Sequence, residues 1–286
     1  MERFTCVVST SSGHQPSKEV LAAMNITDAE KLHFDRETIV QVSRRMEKEG
    51  WILLPFCNTL CSEALGAKPV LTADGAYVKE EACKTKEQIL QLSEQTLNRD
   101  SKRLSVMMQA VQELSRQGSR IAYNIEGPFT ILTALMPMGK LFASLRKEEG
   151  GRLLQSAANW VVEYAKMAVN NGAVMLSYAD PIATVELLGE KMFGNIYLPM
   201  CKEIITRIQK ENPKVVIHLC GKLSQSLLDI GAVQIEKWSS VQEKSYGELL
   251  QEYVKAEPKI CTVGHDCLNR LEKKKNNICC MLWNEQ

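Results

Sequence analysis

His218-Leu219-Cys220 is the sharpest chemical feature of the chain. It follows the apolar run Val215-Val216-Ile217. The pattern predicts a strand on which residues 218 and 220 point to one side and Leu219 to the other. An imidazole and a thiol on one side of a strand end are ligands of the kind that hold zinc. Gly221 lets the chain turn away behind them without crowding that side. A buried neutral histidine beside an inert thiol would look the same in sequence, so a third ligand must decide. Cys267, in Gly264-His265-Asp266-Cys267, stands just beyond the next-but-one predicted strand after His218. Cys279 and Cys280 are its rivals; adjacent cysteines do not easily share one ion, so at most one would serve. One histidine, two thiolates and an open position make a catalytic zinc arrangement, and the spacing is too wide for a finger or ribbon. Two thiolates leave zinc a weak Lewis acid, yet able to hold a third, substrate thiolate. The thiol's pKa falls while its sulfur stays nucleophilic. The chemistry expected is alkyl transfer to a thiol.

Other side chains gather at the ends of predicted strands. Asp180, before Pro181, reads as an acceptor for a ligand imidazole N–H or a bound cofactor, or as the N-cap of a helix beginning at Pro181. Glu126 places a second carboxylate before the Gly127-Pro128 turn, with a structural and a catalytic reading both open. Asn58 holds the equivalent place after Pro55-Phe56-Cys57; it can donate and accept but cannot act as a base. His265 reads either as a donor to substrate or as a polar loop residue, and His14 and His33 as surface or capping histidines.

The elements that must position these groups alternate regularly. Asp35 caps a helix carrying Ile39, Val42 and Met46, which Gly50 stops before the apolar run Trp51–Phe56. A long helix over roughly 86–117 leads into 121–125, one over about 150–170 into 173–177, and one over about 196–211 into 215–217. Shorter helices at 224–229 and about 245–255 lead into 233–235 and 260–263. Six helix-then-strand units, apolar on both strand faces, predict parallel strands between layers of crossover helices. The chain has no GxGxxG and no GxxxxGK[ST], and its polar clusters lie at strand C-terminal ends. Both facts favour a (β/α)8 TIM barrel, complete or with an abbreviated C-terminal unit, over an open doubly wound sheet. Two further strands are expected among 277–282, the first ten residues and the hairpin-like stretch 69–79. No Gly/Pro/Ser-rich linker divides the chain, so residues 1–286 are expected to form one domain with an N-terminal extension of about 1–35.

Composition narrows the partners. Of 286 residues, 45% are hydrophobic and 24% charged, which excludes a disordered or fibrous chain. A formal charge of +1 provides no field for nucleic acid or acidic lipid, and Lys273-Lys274-Lys275 reads as a solvated helix end or tail. No apolar run reaches the ~18 residues of a membrane span, and the start, MERFTCVVSTSSGHQ, lacks a secretory pattern. The ten cysteines are therefore expected to be reduced and the protein cytoplasmic.

Taken together, the strand ends resemble the uroporphyrinogen-decarboxylase-like superfamily. Within it they are similar to the cobamide-dependent methyltransferases, which move a methyl group from a methylated corrinoid protein to a thiol such as coenzyme M. The matching stretches are Leu54–Asn58 with Glu63–Ala67, Glu126–Thr130, Gly172-Ala173 with Ala179–Pro181, His218–Gly221, and Val263-Gly264. The resemblance implies a (β/α)8 barrel, Zn2+ held by His218, Cys220 and a later cysteine, and a substrate thiol as fourth ligand. It also implies a methylated corrinoid (cobalamin), free or protein-bound, as methyl donor; composition leaves neither nucleic acid nor membrane as an expected partner. Coenzyme M carries a sulfonate, for which Lys222, Lys237 and His265 are the candidate donors. Two departures stand out. The decarboxylases' N-terminal arginine-rich motif is replaced by Thr10-Ser11-Ser12-Gly13-His14, and the aspartate of their first strand end by Asn58. Family methyltransferases also continue for dozens of residues past the Gly264 strand before their last zinc cysteine, whereas Leu268–Gln286 is all that follows here. The alternatives are a decarboxylase or lyase working through Asp180 and Glu126, or a non-catalytic member that binds a corrinoid protein.

Overall fold

The computed structural model describes residues 4, 14–72 and 75–284. The strands are β1 (Ile52–Leu54), β2 (Lys68–Thr72), β3 (Gly75–Glu80), β4 (Ile121–Glu126), β5 (Met175–Ala179), β6 (Val216–Leu219), β7 (Val233–Ser245), β8 (Thr262–Gly264) and β9 (Lys274–Trp283). Seven of them make one sheet in the order β1-β4-β5-β6-β8-β9-β7, and β2 and β3 pair separately as an antiparallel hairpin. The first five strands of the large sheet are parallel, as the helix-then-strand rhythm predicts. β9 then runs antiparallel to both β8 and β7. The result is a distorted α/β barrel fold in which parallel strands are followed by an antiparallel C-terminal pair.

The segment expected as a short strand at 233–235 is a long strand on the far side of β9, so β8 pairs directly with β6. The expected strand at 277–282 exists as β9, and the hairpin-like stretch is β2–β3. A strand in the first ten residues falls on positions that, Phe4 aside, lie outside the described residues.

Local chemistry sets most boundaries. The expected helix over 86–117 is two, Lys86–Ser93 and Lys102–Arg116. Between them the Asn98 side chain takes the Asp100 N–H at 3.1 Å, an Asx turn that competes with helix. β5 begins two residues later than expected because Gly172 and Ala173 still close the helix Glu148–Asn170. Their N–H groups reach the carbonyls of Val169 and Ala168.

One face of the sheet carries Leu54, Tyr123, Leu176, Ile217 and Leu219 into the larger core, with Leu104, Trp160 and Ile204 from the surrounding helices. The other face carries Ala122, Met175, Val216 and Val263, and the helix Tyr246–Lys255 packs on it through Tyr246, Leu249, Leu250 and Tyr253. Ser245 and Glu248 form a reciprocal capping box at its start. This helix is stitched to the edge of β1. Trp51 Nε1 donates to the Gly247 carbonyl at 2.9 Å, and Gln251 Nε2 to the Glu49 carbonyl at 2.6 Å. Gly50 sits between them at φ +71, and a Cβ there would collide with the Gln251 amide. The Lys273–Lys275 run is not a solvated tail: it leads into β9, and Lys275 forms a largely buried ion pair with Asp266.

Candidate functional site

Parallel register aligns side chains across strands, and here it aligns polar ones. Asn124 pairs with Ser177, Ser177 with His218, and His218 with Val263. Ser177 Oγ donates to Asn124 Oδ1 at 3.0 Å, and Asn124 Nδ2 to Asn58 Oδ1 at 3.0 Å. Asn58 thus joins this row from the loop after β1. One step further along the strands, Glu126 pairs with Ala179, and the Cys220 N–H bonds the Tyr178 carbonyl next to it.

His218 is 1% exposed. Its Nε2 lies 3.0 Å from the Tyr246 hydroxyl, and its Nδ1 is buried without a hydrogen-bond partner. Burial lowers its pKa to about 4, so the ring is neutral at pH 7. A neutral imidazole can serve as a metal ligand through one nitrogen while the other is anchored. Leu219 packs into the opposite core, as the strand period requires. Cys220 is half-buried and begins the helix Gly221–Asp229. The ring of Phe4 fills the space above Gly221 and lies 6.2 Å from the His265 ring.

Cys267 is half-buried after β8, the strand next to β6; the expectation that it comes from two strands along is corrected by the displacement of β7. Cys279 and Cys280 lie on β9 opposite Gly264 and Val263, both buried, and burial raises both thiols' pKa. Cys280 is also 3.2 Å from the Tyr253 hydroxyl. Among the described residues no group of three His, Cys, Asp or Glu side chains is arranged to hold a metal ion. His218 and Cys220 share their strand end; a third ligand would have to move in. His265 is half-buried at φ +61, Lys222 is exposed on the first turn after Cys220, and Lys237 is exposed on the edge strand β7 opposite Cys279.

Asp180 is fully buried, and its capping role differs from the expected one. No helix begins at Pro181; the next, Val185–Met192, is capped by Thr184. Asp180 instead caps the helix Pro128–Leu135 that follows β4. It accepts from Phe129 N at 3.1 Å, Thr130 N at 2.8 Å and Thr130 Oγ1 at 2.7 Å. Burial outweighs these bonds and raises its pKa to about 6. Glu126 is 3% exposed, neither carboxyl oxygen has a partner, and burial pushes it up to about 7 against the nearby Arg103 guanidinium.

Residues 18–265 match the family of uroporphyrinogen decarboxylase (URO-D). The chain belongs to the uroporphyrinogen decarboxylase family. It is 28% identical over 134 residues to the methylcobamide:CoM methyltransferase MtbA of Methanosarcina mazei, covering 45% of this chain and 39% of that protein. It is 26% identical over 218 residues to the methylcobamide:CoM methyltransferase MtaA of Methanosarcina barkeri, covering 68% of this chain and 57% of that one. The chain therefore spans only about two fifths to three fifths of these relatives. A solved methyltransferase from Methanosarcina mazei shares the fold, with a TM-score of 0.63 at 17% identity over 80% of this chain and 68% of that one.

Several residues of this family member escape a reading of the sequence. Asn124-Ile125-Glu126 repeats the polar-apolar-polar alternation of His218-Leu219-Cys220, a signal that was present. Tyr246, Arg103 and Ser177 carry no such signal. Arg103 is fully buried: it bonds Cys57 Sγ at 2.8 Å, pairs with Glu63, and has His33 Nδ1 at 3.5 Å. His14 and His33, expected as surface or capping histidines, are both buried, and His33 Nε2 lies 3.0 Å from the Gly75 carbonyl of the hairpin. No helix among the described residues is long and apolar enough to cross a membrane.

Proposed function

We propose that this chain is a methyltransferase that passes a methyl group from a methylated corrinoid to a thiol, with Zn2+ at His218 and Cys220. The observation that carries the reading is the buried, neutral His218 at the end of β6, with the half-buried thiol of Cys220 two residues on. Relatives named for methylcobamide and CoM support the choice of reaction. Zinc held by His218, Cys220 and Cys267 would keep the acceptor thiol ionised and nucleophilic near neutral pH. The chain's own part is placement. β6 carries His218 and ends just before Cys220, and the Asn58–Asn124–Ser177 chain anchors the staves beside them. A methylated corrinoid protein is the expected donor, and holding thiol and methyl group in line would supply most of the rate.

The rival chemistry, decarboxylation through Asp180 and Glu126, finds Asp180 already engaged by three donors that build a helix start. The test is metal content followed by thiol-dependent demethylation of methylcobalamin, watched by absorbance, with coenzyme M and homocysteine as acceptors. About one zinc per chain and a rate abolished by Cys220→Ser are expected. A metal-free protein whose activity survives Cys220→Ser but not Asp180→Asn would replace this reading with the decarboxylase one. Tolerance of every ligand change, with corrinoid-protein binding intact, would make the chain a non-catalytic carrier partner.

A further inference from the structure

We infer that the acceptor thiol carries a protonated amine, and that Glu126, at the end of β4, is the group that receives it. The inference deepens the proposed function and rests on it only for the identity of the reaction.

The starting point is a carboxyl group with nothing to bind. Glu126 is 3% exposed, and neither of its oxygens has a hydrogen-bond partner. Such a group is costly in either protonation state, because it has given up water and gained no contact in return. Nearby Asp180 shows what a structural carboxylate at a strand end looks like in this fold: three donors from one helix start occupy it. The oxygens of Glu126 build no such cap and are left for a group that arrives from outside.

Placement turns Glu126 towards the polar row. It lies two residues beyond Asn124 within β4, so the two-residue period puts both on one side. Asn124 is bonded to Ser177, and Ser177 is in register with His218, so this is also the side of His218. Glu126 pairs with Ala179, and the Cys220 N–H bonds the carbonyl of Tyr178, the residue before Ala179. With strands about 4.8 Å apart, the backbones of Glu126 and Cys220 are separated by about 10 Å. A glutamate side chain and a short aminothiol span that gap together.

Charge selects the ligand class. Arg103, the fully buried cation on this side, is already paired with Glu63 and bonded to Cys57 Sγ and Thr59 Oγ1. Its pull on Glu126 does not overcome burial, which holds that carboxyl well above the usual carboxylate range. With Glu126 ionised, one guanidinium faces two carboxylates, and the wall is one positive charge short. An ammonium supplies that charge together with three N–H donors, whereas a sulfonate would add a second negative charge beside it. Lys222 and Lys237, the donors expected for a sulfonate, are exposed and belong to the β6 and β7 side.

The test compares thiols that differ in charge: cysteamine carries an ammonium, mercaptoethanol is neutral, and coenzyme M carries a sulfonate. With methylcobalamin as donor, kcat/KM for cysteamine should exceed that for either of the others by about 10–100-fold, as one charge-assisted pair allows. Glu126→Gln should bring cysteamine to within about threefold of mercaptoethanol. A preference for coenzyme M, or an unchanged ranking in Glu126→Gln, would overturn the inference. The wild-type ranking decides even if the variant does not fold. Binding of methylthioethylamine against methylthioethanol, followed by ligand-observed NMR titration, reads the same site without turnover. The amine should bind about tenfold more tightly to the wild type and lose that advantage in Glu126→Gln. That result in a protein inactive with every thiol would uphold the ammonium site and sink the methyltransferase reading. Equal binding of the two probes would overturn the inference even where methyl transfer is observed.

Discussion

Gly127 and Asp180 offer a clean test of how the C-terminal strand ends are held. Gly127 has φ −74 and ψ 167, extended backbone that alanine adopts without strain. On backbone grounds alone Gly127→Ala should be tolerated, since losing glycine at an N-cap costs at most about 1 kcal/mol. The packing says otherwise. A Cβ on Gly127 would lie 2.5 Å from the Asp180 Cβ and 2.6 Å from its Cγ, well inside contact distance. Asp180 cannot swing aside cheaply, because its carboxylate is fully buried and holds Phe129 N, Thr130 N and Thr130 Oγ1. Hydrogen bonds to a charged acceptor contribute about 1.5–3 kcal/mol each, and those lost would leave buried N–H groups unpaired. Allowing for partial relaxation, Gly127→Ala should destabilise by about 3–5 kcal/mol, a large share of a typical domain's stability. Urea unfolding followed by circular dichroism reads this as a lower midpoint at unchanged slope. In an Asp180→Gly background, where the obstructing side chain is gone, the same substitution should cost under about 1 kcal/mol. A loss below about 1 kcal/mol in the otherwise wild-type chain, or an equal loss in both backgrounds, would refute the reasoning.

Glu126 should make stability pH-dependent. Its folded pKa is raised from 4.5 to about 7, so its contribution is fully favourable below about pH 4.5 and is lost as pH rises through 7. Glu126→Gln should therefore gain on wild type between pH 5 and pH 8, by an upper limit of roughly 3 kcal/mol in paired urea titrations; equal differences at both pH values would be against it. Trp51→Phe strips the Gly247 carbonyl of its buried donor and should cost about 1–3 kcal/mol. A loss under about 0.5 kcal/mol would mean that the stitch between β1 and the helix Tyr246–Lys255 contributes little. Cys267→Ser should lose most of the bound zinc, whereas Cys279→Ser and Cys280→Ser should keep it, because those two thiols are buried on β9. Metal analysis giving the reverse pattern would move the third ligand to the tail.

What the sequence by itself determined was local in origin. Apolar runs after capped helices specified β1, β4, β5, β6 and β8 as parallel strands, since short runs apolar on both faces can bury only inside an α/β layer. The two-residue period placed His218 and Leu219 on opposite faces of β6, but the strand ends at Leu219 and Cys220 packs against the same core as Leu219. The alternation of Asn124 and Glu126 was legible in the same way. Strand order was not. Val233-Gln234-Ile235 looks like any other buried run, and only pairing with β9 over Val233–Trp283 through Ser239–Asn277 carries it past β8 to the sheet edge. That choice depends on non-local hydrogen bonds whose partners lie dozens of residues away. The same holds for Asp180, whose Pro181 neighbour suggests a cap for the next helix. The carboxylate turns instead to the Phe129 and Thr130 N–H groups on the neighbouring stave, because parallel pairing brings those two strand ends together. Tyr246 reaches His218 for the same reason: sequence places them 28 residues apart, and only the helix lying across the sheet face joins them.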